Sequence, residues 1–379
     1  MEKGQSKLHI VQLVSNHSSV PYLNWLAERI HHYPDVKYTI VSMFPQEHPL
    51  IRDMEERGWE CYWIKYDKRF KKTWMIYAFF KLYTLFRKLK PDVVTTLVFD
   101  DSVIGLLAAR LCRIKKRVIL KQVTAFNWYF NPSWVWTDKM NNRNATDIVA
   151  ISEESKKFIL EKEKALPEKI HLIHNGIPIA QYTAQSEAVK QDFIKRFNLK
   201  DKIVIGSVAR FVEWKGYRYI VEAAKTLVKK HPNLKFLFTG SGRQKQEIEN
   251  LVRQYGLEDH IIFTGFINPE QMPSLYGVMD IFLHAAFMEP FGLVFSEAMA
   301  NGVPIVTSKT GGAADVLEHK VTCFFTGYKD PNGIVEGIEW MLHNPGVREG
   351  MKEKVKKIAI EKLSIELALE KYIQIYKGV

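Results

Sequence analysis

The chain has 379 residues, 46% apolar and 25% charged, with 54 Lys and Arg against 42 Asp and Glu for a formal charge of +12. This length carries two or three domains, and the composition excludes a disordered chain, a collagen-like repeat and a small disulfide scaffold. The excess charge is uneven, with 28 basic and 19 acidic side chains in residues 1–180 against 26 and 23 in the remainder, so the first half favours an anionic partner.

In chain order, Leu8–Val14 reads as a strand, Tyr22–His31 as a helix and Lys37–Met43 as a strand. Asp92–Val98 is a strand and Ser102–Cys112 an Ala- and Leu-rich helix. Val118–Lys121 and Asp147–Ile151 are short strands. Ser152 then fits an N-cap, with Glu153 and Glu154 in the first turn. Ile170–Ile173 is closed by the turn signal Asn175-Gly176 and by Pro178. A second series follows: strand Ile203–Ala209, helix Tyr217–Lys230, strand Lys235–Thr239, helix Arg243–Tyr255, then strands Ile261–Thr264, Ile281–His284 and Pro304–Thr307. Such alternation predicts α/β architecture with two parallel, doubly wound sheets and a break near 178–186. Ligands of such sheets bind beyond the carboxyl ends of the strands.

Three widely spaced cysteines, Cys61, Cys112 and Cys323, form no C-x-x-C pair, which argues against a disulfide framework or zinc site and for a reducing cytosol. Met1–Lys7 is polar, and no run reaches the 18 or so apolar residues of a spanning helix. A cytoplasmic location is expected, with peripheral attachment at the inner face of the plasma membrane as its extension.

The sharpest segment runs Glu289-Pro-Phe-Gly-Leu-Val-Phe-Ser-Glu297-Ala-Met-Ala-Asn-Gly302-Val-Pro304. Pro290 fits a helix start and Gly302 a stop, so a helix begins near Phe291–Leu293. Its first N–H groups and positive dipole end make an anion seat, which Gly292 lets a ligand approach closely. A carboxylate beside a phosphate would repel it. Glu289 and Glu297 must therefore face something else, and sugar hydroxyls suit, because an ionised carboxylate only accepts. A diphosphate with hydroxylated groups at both ends, a nucleotide sugar, fits this pattern. After another strand, Arg210 and Lys215 supply two cations for a departing diphosphate without a metal, and no suitable D-x-D pair is present.

Arg210, Lys215-Gly216, Gly240-Ser241-Gly242, Gly265-Phe266, the Glu289-x7-Glu297 block, Gly302-Val303-Pro304, Gly311-Gly312, Glu318 and Asn175-Gly176-Ile177 together resemble the glycosyltransferases of family four, retaining enzymes of the GT-B fold. The resemblance implies two Rossmann-like domains facing an interdomain cleft: an acceptor-binding domain over 1–178, a nucleotide-sugar-binding domain over 179–361, and a last helix, about 362–379, crossing back. It implies transfer of a glycosyl group from a nucleotide sugar to an acceptor hydroxyl with retention, in the synthesis of cell-surface polysaccharide, lipopolysaccharide or glycolipid. No metal and no cofactor are implied, the nucleotide sugar being a substrate. By position, Arg210 and Lys215 resemble the diphosphate-binding pair, Glu297 the ribose-binding carboxylate and Glu289 the one holding the donor sugar. Phe291, Gly292 and Leu293 resemble the backbone stretch at sugar and phosphate, with Gly240 and Gly242 in the same donor site. Gly265, Phe266 and Ile267 sit where the family contacts the base. The family's Gly-Gly turn after the first strand is replaced by Ser15-Asn16-His17-Ser18-Ser19, and its His after the Val118–Lys121 strand is missing. Asn16, His17, Asp100 and Asp101 are candidates for acceptor contact or a base, and the aromatic stretch Trp128–Trp136 for acceptor contact.

Residues 69–90, RFKKTWMIYAFFKLYTLFRKLK, hold seven cations and no acid. Trp74, Ile76, Tyr77, Phe80, Tyr83 and Phe86 fall largely at helical spacing. One reading is a helix packed on the first sheet with a solvated basic face. The other is a helix that meets anionic lipid and brings the enzyme to a saccharide or lipid-linked acceptor. Nucleic acid is not an expected partner. The competing functional readings are a nucleotide-sugar 2-epimerase, a glycosyl phosphorylase, and a non-catalytic sugar- or membrane-binding module. A retaining glycosidase would leave Arg210 and Lys215 without a role.

Overall fold

The computed structural model describes residues 7–15, 21–45, 49–67, 69, 71–97, 99–122 and 126–378. The chain divides into two compact units, residues 1–175 with 365–379, and residues 176–364. The division thus falls at Asn175 rather than 178, and the returning segment starts at Ile365 rather than about 362. The first difference follows from Ile177, whose N–H donates to Leu363 O at 2.9 Å, so this short segment is held by the second unit.

The first unit carries β1 (Leu8–Val14), β2 (Val36–Phe44), β3 (Glu60–Lys65), β4 (Val93–Thr96), β5 (Lys116–Lys121), β6 (Asp147–Ala150) and β7 (Ile170–Leu172). They form a parallel sheet in the order β3-β2-β1-β4-β5-β6-β7. β1 and β4 are buried on both faces, including the polar Gln12, Thr95 and Thr96, because helices cover both sides of an all-parallel sheet. The helix Phe99–Leu111 lies on one side, and the helix Lys71–Leu89 packs against it and the sheet through Ala78, Leu82 and Phe86. That i, i+4, i+8 spacing defines a single buried stripe. The last helix, Ile365–Lys377, belongs to this unit: Tyr22 Oη bonds Tyr372 Oη at 3.3 Å, and Arg29 Nε donates to Glu366 Oε1 at 2.8 Å.

The second unit carries β8 (Ile203–Val208), β9 (Leu234–Thr239), β10 (Ile261–Gly265), β11 (Ile281–His284), β12 (Ile305–Ser308) and β13 (Cys323–Thr326), also parallel, in the order β10-β9-β8-β11-β12-β13. Its core gathers Phe236, Phe238, Ile281, Leu283 and Val306 from the strands, with Ile220, Leu227 and Ile338 from covering helices. The strand order reverses between β8 and β11. Two doubly wound sheets agree with the expected fold class. β3 and β13 are additional to the strands read from sequence, and each is an edge strand bonded to one neighbour only.

Candidate active site

β8 and β11 are neighbours at the reversal of strand order, the place where open parallel sheets take ligands. The loops that leave them are tied together, Phe287 N–H donating to Trp214 O at 3.0 Å. Within this junction Lys215 Nζ forms a close ion pair with Glu289 Oε2, and His284 Nε2 meets the same oxygen at 3.0 Å. The three side chains are 12%, 8% and 2% exposed.

Burial by itself would raise the Glu289 pKa. The Lys215 charge, followed by the His284 hydrogen bond, outweighs burial and holds the carboxyl at about 2. Burial pushes the His284 pKa down, so the ring is neutral and Nε2 carries the hydrogen, since an ionised carboxylate can only accept. The sequence reading gave Lys215 to phosphate and Glu289 to sugar as separate groups; in the structure they are partners. Both bonds converge on Oε2, and no described residue donates to Oε1. His284 was not among the sequence candidates. The available signal was its place at the carboxyl end of a switch-point strand, five residues before Glu289.

The helix after Glu289 spans Leu293–Ala300, with Gly292 as its N-cap at φ +85°. A Cβ on Gly292 would lie 2.6 Å from the Phe295 ring, so only glycine makes this turn without strain. No side chain caps this end, and the first N–H groups of a helix have no partner inside it. Pro290 lies three residues before the helix rather than at its first turn. The far end is a Schellman stop: Gly302 N–H donates to Met299 O at 2.9 Å and Val303 N–H to Ala298 O at 3.0 Å.

Glu297 is buried in this helix and accepts from Tyr276 Oη at 2.8 Å on Oε2 and from Tyr182 Oη at 3.2 Å on Oε1. Burial raises its pKa, opposed by these two bonds. Neither tyrosine was singled out in the sequence, because they lie 21 and 115 residues from Glu297.

Arg210 follows β8, is exposed, and makes no ion pair among the described residues. Gly240 and Gly242 press the turn after β9 against the β8 loop; a Cβ would lie 2.1 Å from Ala209 O or 2.4 Å from Phe211 O. Phe266 is 81% exposed just after β10, whereas Ile267 is buried, which leaves only its backbone to a ligand. The Phe291 ring is buried against Gly312, and its carbonyl accepts from Gly312 N–H at 3.0 Å. Leu293 is half-buried at the helix start.

In the first unit Asp100 and Asp101 are buried in the opening turn of the helix Phe99–Leu111, where the dipole favours carboxylates. Asp101 N–H donates to Ser15 Oγ at 3.2 Å, and Ser102 Oγ donates to Asp101 Oδ1 at 3.4 Å. Asn16 and His17 lie outside the described residues. Of the aromatic stretch, Tyr129, Phe130 and Trp136 are exposed, while Trp134 packs edge-on against Phe99 at 5.5 Å. On Lys71–Leu89 the expected apolar face is divided: Phe86 is buried, and Ile76, Tyr77 and Phe80 are exposed.

The sequence profile of the group 1 glycosyl transferases matches residues 189–358, and that of glycosyltransferase family 4 matches residues 35–181. The chain belongs to the family 4 glycosyltransferases. Among curated relatives, this family member is 28% identical over 240 residues to an uncharacterised glycosyltransferase of Methanocaldococcus jannaschii, covering 63% of this chain and 61% of the relative. It is 28% identical over 312 residues to the capsular polysaccharide biosynthesis glycosyltransferase CapM of Staphylococcus aureus, covering 78% and 79%. Among solved structures, HepE of Anabaena in complex with UDP-glucose superposes with a TM-score of 0.83 at 19% identity, covering 98% of this chain and 100% of that one. This likeness establishes the GT-B fold. No helix of the described residues is long and apolar enough to cross a membrane.

Proposed function

We propose that the protein is a retaining, metal-independent glycosyltransferase that moves a sugar from a nucleotide-sugar donor to a saccharide or lipid-linked acceptor, in the synthesis of cell-surface polysaccharide, lipopolysaccharide or glycolipid. The observation that carries this reading is the ionised, buried Glu289 pinned by Lys215 and His284 beside an uncapped helix start and the exposed Arg210. Arg210, the N–H groups of Leu293 and Val294 at the helix start and the remaining Lys215 donors stabilise the diphosphate as it leaves. Glu289 Oε1 accepts from a hydroxyl of the donor sugar. Glu297 accepts from the ribose, and Phe266 offers its exposed ring to the base. CapM supports the polysaccharide setting and HepE a uridine diphosphate sugar as the first donor to try.

The test is a melting screen with UDP, GDP and ADP sugars, followed by turnover with the stabilising donor with and without EDTA. Expected is stabilisation by one nucleotide class, release of nucleoside diphosphate that needs an acceptor, insensitivity to EDTA, and retained anomeric configuration by NMR. Conversion of the sugar without acceptor would identify an epimerase, and dependence on inorganic phosphate a phosphorylase.

The acceptor side is served by the helix Lys71–Leu89. Ile76, Tyr77 and Phe80 are 62%, 42% and 61% exposed on it, and Lys81, Arg87 and Lys88 are exposed along the same helix with no acidic residue in 69–90. An apolar strip flanked by cations suits a lipid surface carrying anionic headgroups. Sedimentation with vesicles containing anionic lipid should carry the protein down, less so after Ile76→Ser with Phe80→Ser. Equal recovery in the supernatant with and without vesicles at low salt would retire this attachment.

A further inference from the structure

Glu297 is enclosed by a pair of phenols whose arrangement exceeds what burial of a carboxylate requires. Tyr276 closes the helix Met272–Tyr276 and is fully buried, with its ring edge-on to Phe282 at 5.9 Å. Tyr182 lies on the short helix Ile179–Thr183 and is 6% exposed. Burial, and then the Glu297 charge, push both phenols far above their ordinary range, so both hold their hydrogens and donate.

The two donations go to different oxygens, Tyr276 to Oε2 and Tyr182 to Oε1. One donor would leave the carboxylate free to turn about its terminal bond, a broad torsion. Two donors on two oxygens fix its plane. Each oxygen of an ionised carboxylate offers about two acceptor positions, and each tyrosine occupies one. What remains is one acceptor position on each oxygen of a carboxylate whose plane is fixed. That pattern matches two hydroxyls on neighbouring carbons.

We propose that Tyr182 and Tyr276 are positioning residues that lock the plane of Glu297 so that both of its oxygens accept from the vicinal 2′,3′-diol of a ribonucleotide, and that this lock sets discrimination against 2′-deoxyribonucleotides. The inference rests on the donor-site reading above. It extends that reading from a residue that touches ribose to the residues that make the contact selective.

The experiment compares binding of UDP, GDP and ADP with that of their 2′-deoxy forms, by calorimetry on the full chain, in wild type, Tyr182→Phe, Tyr276→Phe and Glu297→Gln, with a melting curve for each. Wild type should prefer the ribonucleotide it binds by about tenfold or more, the expected scale for a hydrogen bond to a charged group. Either phenylalanine variant should bring the preference to within about threefold. With the matching nucleotide sugar, it should raise KM several-fold while kcat stays within about twofold. Tyr182→Phe keeps the test open if the fully buried Tyr276 does not tolerate substitution. If both phenylalanine variants melt lower yet keep the wild-type preference while Glu297→Gln loses it, the tyrosines only support the fold; the inference falls and the donor reading stands. If wild type shows no preference, or binds none of the three diphosphates, both fall together.

Discussion

Each unit buries a lysine against carboxylates near the carboxyl end of a strand, and the two clusters differ in what they leave open. In the first unit Lys121, the last residue of β5, pairs with Glu163 at 2.8 Å and lies 3.7 Å from Asp138. Asn142 donates to Glu163 Oε2 at 2.7 Å and Asn127 to Asp138 Oδ2 at 3.1 Å. Lys121 and Glu163 are 8% and 2% exposed. In the second unit Lys215 pairs with Glu289, but Glu289 Oε1 receives nothing from the described residues, an uncapped helix starts four residues later, and an exposed arginine stands at the neighbouring strand end. The lesson concerns what distinguishes a structural ion pair from a candidate site. The charges and burial are alike. The difference lies in unspent acceptors and donors at the sheet's switch point.

The largest effect that would break this comparison belongs to the first cluster. Lys121→Ala leaves two carboxylates buried together without their cation, and removing one partner of a buried pair costs about 3–5 kcal/mol. Urea unfolding should show a loss of that order, while nucleotide binding by the folded protein is unchanged. A loss below about 1 kcal/mol would mean that the cluster does not anchor the unit.

Lys215→Ala should reduce turnover by about 100- to 1000-fold, the scale of losing a preorganised donor to developing charge. It also exposes the electrostatic coupling. Glu289 has a folded pKa of about 2 against an ordinary 4.5, so its contribution to stability is complete above about pH 4.5 and is lost as pH falls through 2. The variant lacks that contribution, and its stability should converge with wild type in strong acid. With the lysine gone, burial becomes the leading influence on Glu289 and its pKa rises, so the acid limb of residual turnover should move toward neutral pH. Parallel stability curves at every pH would show that the two residues are not coupled.

The smallest effect sharpens the contrast. Arg210 is exposed and makes no ion pair among the described residues, so Arg210→Ala should leave stability within about 0.5 kcal/mol. Nucleoside diphosphate binding should weaken about tenfold, as for one lost charge-assisted contact, and less so at high salt. Unaltered binding at low salt would remove Arg210 from the site.

Much of this was legible in the amino-acid order. The alternating short apolar runs marked most strands of both sheets. Gly302 marked the end of the helix that carries Glu297, while Pro290 placed its start three residues early, and Ser152 caps its helix as expected, accepting from Ser155 N–H at 3.1 Å. The edge strands β3 and β13 escaped. A strand such as Glu60–Lys65, half-buried and charged at both ends, lacks the continuous apolar run that marked the central strands. The exposed strip of Lys71–Leu89 escaped as well, since periodicity grouped Phe86 with Ile76 and Phe80 although packing buries one and exposes the others.

By itself the sequence determined most of the segments that become strands, where the helix carrying Glu297 stops, and which cations and carboxylates are present, because those depend on neighbours within about one turn or one loop. Tertiary structure alone decided that Lys215 and Glu289 form an ion pair that His284 also hydrogen-bonds, that Tyr182 and Tyr276 meet on one carboxylate, and that Lys121 is enclosed rather than available. Those outcomes depend on which loops the sheet order brings side by side, and burial strengthens charge interactions only after the chain has closed around them.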